Sequence, residues 1–157
     1  MEKELVKKNA FSAVGVIWQG TFQQAASGEI RNVMEELRSR IKEITQVVNP
    51  EAILGISFHN IPNGFTYHLC METTEGGTIP EGMQRIDIPA LTYVTCKHER
   101  GKNVNDTYTD CYRWIEEQGY ILHESEYKQL EVYPVSYRPL TDEPEFIIMI
   151  PVKEALI

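Results

Sequence analysis

The sequence has little with which to run the commoner chemistries. It holds three cysteines, Cys70, Cys96 and Cys111, with no C-x-x-C spacing. That count and spacing suit reduced, buried thiols, and exclude a disulfide framework or a thiolate zinc site. Its four histidines, His59, His68, His98 and His123, are scattered, and His98-Glu99 does not extend to H-E-x-x-H. No Cys/His cluster has metal-ligand spacing, so neither a metal nor a cofactor is expected. A G-x-G-x-x-G turn, a Walker loop and a G-x-S-x-G elbow are all missing. No apolar run approaches the roughly 20 residues of a membrane span. The first ten residues, MEKELVKKNA, lack a signal-peptide core, so a cytoplasmic location is expected. Basic charge is scarce too: 15 Lys and Arg stand against 23 Asp and Glu, for a net charge of −8. With no basic stripe, direct nucleic-acid binding is not expected. Such a surface attracts cationic small molecules or a basic protein partner.

What is present is a pattern that runs twice. The 157 residues suffice for one domain, read here as 1–157 with two pseudo-repeats, about 11–74 and 83–153. In the first repeat, FSAVGVIW (11–18) reads as a strand. Ile30, Val33, Met34, Leu37, Ile41 and Ile44 then form one helical stripe, with Ser27 as N-cap and Asn49-Pro50 as terminator. AILGISFH (52–59) and residues 65–73 form a hairpin across Pro62-Asn63-Gly64. After a Gly-Gly connector at 75–80, a strand lies within 84–98. A helix capped by Asn105 or Asp106 follows, its stripe Tyr108, Cys111, Tyr112 and Ile115, its end marked by Gly119. Strands at about 126–137 and 145–153 complete the second repeat. The expected fold is α+β: duplicated β-α-β-β units forming an antiparallel sheet, two helices on one face, a ligand cleft on the other.

Strand alternation selects the candidate site. In Tyr127-Lys128-Gln129-Leu130-Glu131-Val132-Tyr133, the aliphatic face of Leu130 and Val132 is expected against the helices. The face of Tyr127, Gln129, Glu131 and Tyr133 then looks into the cleft. A carboxylate between tyrosines suits a cation, because ring faces add roughly 0.5–2 kcal/mol each and the carboxylate adds Coulomb attraction. The alternative is a solvent-exposed strand Glu with no ligand role. Tyr67, Tyr93, Trp114 and Trp18 are further wall candidates, each also explicable as packing.

These residues resemble a family. Ile88-Pro89-Ala90, Tyr93-Val94, Gly101, Trp114-Ile115-Glu116-Glu117-Gln118-Gly119-Tyr120, Leu130-Glu131-Val132-Tyr133-Pro134 and Glu145-Phe146 are similar, in order and spacing, to the GyrI-like small-molecule-binding domain, also called the bacterial transcription activator effector-binding domain. The resemblance implies a duplicated β-α-β-β fold with a pocket whose glutamate receives lipophilic cations. Glu131 matches that glutamate, and Tyr133 and Phe146 match ligand-facing positions. Cys70 replaces a family glycine and is expected to narrow the pocket. About ten residues precede the first strand, so a stand-alone member without a helix-turn-helix is expected.

Three functions follow. The first is a multidrug-type binding module that takes lipophilic, aromatic or cationic ligands against Glu131. The second, implied by stand-alone relatives, is a hydrolase opening cyclopropane rings of DNA-alkylating natural products, with Glu131 activating water and Glu72 as second acid. The third is an acidic protein that modulates a partner enzyme.

Overall fold

The computed structural model describes residues 3–154. Among the described residues nine strands form one antiparallel sheet: β1 (Glu4–Lys8), β2 (Phe11–Thr21), β3 (Ala52–Ile61), β4 (Gly64–Thr73), β5 (Gln84–Ile88), β6 (Leu91–His98), β7 (Tyr120–Leu122), β8 (Tyr127–Pro134) and β9 (Phe146–Glu154). Three helices accompany them: α1 (Phe22–Ala26), α2 (Glu29–Arg40) and α3 (Val104–Glu117). The spatial order is β1-β6-β9-β8-β3-β4-β2-β5, with β7 added beside β9. The expected α+β architecture is therefore present. β2-α-β3-β4 and β6-α3-β8-β9 are the two units, joined where β3 pairs β8.

The ends of that order do not lie apart. Lys8 faces Leu91 at the end of the β1–β6 ladder, and Phe11 faces Ile88 at the start of the β2–β5 ladder. The register is the same on both sides of a break at Asn9-Ala10 and Pro89-Ala90. Residues 4–15 and 84–95 are thus one long antiparallel ladder, bent in the middle. Proline has no N–H for the ladder, which places the bend at Pro89. Because β2 and β6 lie at opposite sides of the sheet, this shared ladder curls the sheet on itself. The inner face encloses Phe11, Ala13, Leu54, Ile56, Cys70, Ile88, Tyr93, Tyr127, Leu130 and Met149. The outer face carries the helices and the larger core.

Several local expectations differ from what is found. Ser27 closes the short helix α1, its Oγ donating to the Gln24 carbonyl at 2.6 Å, and α2 starts after Gly28. Thr21 caps α1 in a reciprocal capping box with Gln24. Asn103 caps α3, its Oδ1 accepting from the Asp106 N–H at 3.1 Å, in place of Asn105 or Asp106. α2 stops at Arg40, followed by one tight turn (Ile41–Glu43), well before Asn49-Pro50. Ile44 is already extended there, and Val47 bridges to Thr73, so sheet contacts end the helix before proline does. Gly119 does end α3, with φ +79°.

Candidate functional site

The helices leave the middle of the outer face open. α1 and α2 pack over β2 and β4, and α3 packs over β6 and β7. Between them run β3 and β8, where Gly55 sits directly opposite Glu131. Glu131 is on this helix-bearing face, so the expected assignment of faces is reversed. Leu130 and Val132 look into the curl instead of toward the helices. Tyr127 also leaves the Glu131 face. A bulge between Ser57/Gln129 and Phe58/Tyr127 rotates it inward by one residue.

Three phenols converge on the one carboxylate. Tyr67 on β4 donates to Oε1 at 2.5 Å, and Tyr133 on β8 donates to the same oxygen at 3.2 Å. Tyr108, reaching over from α3, donates to Oε2. Gln129, two residues away, donates to the Tyr112 hydroxyl of α3 at 2.8 Å. The route of Tyr67 explains a glycine inside a strand. Tyr67 must cross β3 to reach β8, and its hydroxyl passes over Gly55. A Cβ at Gly55 would lie 1.9 Å from that oxygen. Glycine in a strand interior is the residue that permits such an approach.

Glu131 is crowded by protein yet keeps some solvent contact. It lies on the stretch of sheet between α1/α2 and α3. Burial raises its pKa above the usual carboxylate range, and the hydrogen bonds from Tyr108, Tyr67 and Tyr133 pull it back down. Burial and the nearby Glu131 charge push all three phenols upward, so they remain donors at neutral pH.

Aromatic rings flank this carboxylate on both sides. Phe146 stacks on Tyr133 with centroids 4.5 Å apart, and Tyr137 stacks on the other side of Tyr133 at 5.3 Å. Toward α1, Tyr67 meets Phe65 at 6.0 Å, and Phe65 meets Trp18 at 5.2 Å and Phe22 at 5.3 Å. Trp18 also donates to Glu29 of α2 at 3.2 Å. Of the residues singled out from sequence, Glu131, Tyr67, Tyr133, Phe146 and Trp18 therefore share this face.

The others do not reach the carboxylate. Tyr93 lies fully buried inside the curl, its hydroxyl 3.1 Å from that of Tyr127. Trp114 packs on Tyr120 of β7 instead of roofing the carboxylate. Glu72 lies on the inner face and pairs with Lys8 at 2.9 Å, so it cannot serve Glu131 as a second acid. Cys70 is also inside the curl, against the Leu54 carbonyl, and does not narrow the site at Glu131. Sequence reasoning placed Tyr108 in a helical core stripe and missed its hydroxyl. It also missed Gly55, whose position in an apolar strand was the available signal.

Comparison with known proteins agrees with this fold. BrlR, a transcriptional regulator of Pseudomonas aeruginosa, is 35% identical over 100 residues, covering 63% of this chain and 36% of BrlR. The chain thus matches little more than a third of that regulator's length. The structure of SAV2435 bound to tetraphenylphosphonium superposes with a TM-score of 0.71 at 17% identity, covering 98% of this chain and 94% of that one. EcmrR, in its complex with DNA, gives 0.68 at 18% identity, covering 98% of this chain and 58% of that one. The model of the GyrI-like small molecule binding domain matches residues 1–153, and the chain belongs to that family.

Proposed function

We propose that this domain binds lipophilic, aromatic cations between its helices, with Glu131 as the counter-charge. The observation that carries the reading is one half-buried carboxylate held by three phenols and flanked by stacked rings. A carboxylate has about four lone-pair sites, and three are taken. What it offers a guest is negative charge in a partly dry site more than hydrogen-bond capacity. A delocalised cation with no N–H to satisfy suits that offer better than a primary amine, which loses hydration without full replacement. Aromatic walls supply the remaining area and cation-π attraction. SAV2435, of similar fold, is known with tetraphenylphosphonium, a ligand of this description.

The hydrolytic alternative loses support, because its second acid, Glu72, faces the other side of the sheet. The reading is tested by calorimetric titration with tetraphenylphosphonium and with triphenylphosphine oxide, a neutral molecule of similar arms. Binding of the cation at least tenfold tighter than the oxide is expected. Equal affinities would reduce the site to an apolar groove.

A further inference from the structure

α3 carries the Tyr108 hydroxyl to Glu131, so the seat of this helix on the sheet governs that bond. Among the described residues, three side-chain hydrogen bonds run from α3 to the sheet. Two are made by Tyr108 and Tyr112 themselves. The third lies apart from the carboxylate. His98, the last residue of β6, places Nδ1 2.7 Å from the Thr107 hydroxyl in the first turn of α3. Both residues are buried, His98 completely. Thr107 directly precedes Tyr108, so its bond pins the turn from which the Tyr108 side chain sets out.

The hydrogens follow from the partners. The Thr107 hydroxyl donates to the Asn103 carbonyl at 3.3 Å, so the imidazole Nδ1–H donates to the Thr107 oxygen. Nε2 then carries a bare lone pair, and it has no partner. A buried orphan acceptor destabilises a fold, and an aliphatic side chain would avoid it. The bond at Nδ1 accounts for a histidine here. Burial holds its pKa below the ordinary value, against Glu145 and Glu99 and with Lys102, so the ring is neutral at neutral pH. The ring also lies 5.1 Å from that of Phe146, which stacks on Tyr133. Two donors to Glu131 thus rest against His98: Tyr108 by way of Thr107, and Tyr133 by way of Phe146.

We propose that His98 and Thr107 are positioning residues of the cation site: their hydrogen bond seats α3 so that Tyr108 reaches Glu131. This deepens the binding reading above and rests on it for the ligand. A carboxylate already held in place loses less freedom when the guest arrives. With the bond cut, Tyr108 loses its place. Its hydrogen bond is the one that most lowers the Glu131 pKa, ahead of those from Tyr67 and Tyr133, so that pKa rises.

The experiment uses Thr107→Val, which replaces the hydroxyl with a methyl and adds no titratable group. The Glu131 carboxyl carbon is titrated by NMR, and tetraphenylphosphonium is titrated by calorimetry. The Glu131 midpoint is expected to move upward and the affinity to fall severalfold, while Thr107→Ser keeps both at wild-type values. In a Tyr108→Phe background Thr107→Val is expected to move neither. The double variant His98→Phe, Thr107→Val keeps a ring against Phe146 and buries no orphan nitrogen. It is expected to fold and to show the same upward shift. An unmoved Glu131 midpoint in either folded variant overturns the proposal. So does an equal shift in the Tyr108→Phe background, which would mean a general loosening of the helix. Unfolding of both variants overturns it as well, because the bond would then hold the fold as a whole. If the wild type does not bind the cation, the Glu131 binding reading fails, and the NMR titration still decides the positioning.

Discussion

Replacing Gly55 with alanine tests how the site is assembled. Alanine at an unconstrained strand position should help, since an interior glycine costs roughly 0.5–1 kcal/mol. Here the new Cβ would lie 1.9 Å from the Tyr67 oxygen, 2.4 Å from Cζ and 2.8 Å from Cε1. Ordinary contact begins near 3.4 Å, so the phenol must retreat by about 1.5 Å. Tyr67 is buried and flanked by Phe65, so little room exists for that retreat. The displaced hydroxyl loses its bond to a charged acceptor, about 1.5–3 kcal/mol. Overpacking adds about 1–3 kcal/mol. A net loss of about 3 kcal/mol lowers the melting temperature by roughly 6–12 °C in a chain this long. The assay is thermal and urea unfolding of Gly55→Ala, Tyr67→Leu and the double variant. The glycine penalty should shrink by about 2 kcal/mol in the Tyr67→Leu background, because the clash partner is gone. A stable Gly55→Ala protein, or a penalty unchanged by Tyr67→Leu, would refute the idea that this glycine exists to pass Tyr67.

Other outcomes follow from the same geometry. Tyr108→Phe removes one donor from Glu131 without touching the sheet; it should cost about 1–2 kcal/mol in urea unfolding and weaken cation binding by calorimetry. Protonation makes a test with two opposite signs. Glu131 has a native pKa above its ordinary 4.5, so cation affinity should fall as pH drops through that raised value. Over the same window the folded state takes up the proton first, so the stability of wild type relative to Glu131→Gln should rise as pH falls toward 4.5. Parallel pH series of calorimetry and unfolding check both. Glu72→Gln breaks only the part-exposed pair with Lys8; it should change stability by about 1 kcal/mol or less and leave the cation titration unmoved.

Much of this was legible because periodicity is local. The stripe through Met34 and Leu37, the alternation at 127–133 and the turn at Asn63-Gly64 each report an element within a few residues. Glu131, Tyr133 and Tyr67 were assigned to one site, and the structure brings them together. What misled was tertiary. Which side of β8 meets the helices depends on how the sheet curls, and that curl comes from a ladder between residues 4–15 and 84–95 that no local pattern encodes. β1 offers only Leu5 and Val6 among charges, so its pairing with β6 left no local trace. Residue type alone groups Tyr93 with the wall, and parity through the bend places it inside. Tyr108 shows the converse: a tyrosine on a helical stripe reads as core until the partner for its hydroxyl is known.

A single half-buried negative charge at Glu131 is expected to draw the ligand. The direct measurement is titration of tetraphenylphosphonium into wild type and Glu131→Gln at neutral pH, with the folded state of each verified by unfolding. Removing one charge at about 5 Å in a site of effective dielectric near 20 is worth about 3 kcal/mol, so the predicted loss is on the order of 100-fold. Unchanged affinity in a folded Glu131→Gln protein would contradict it.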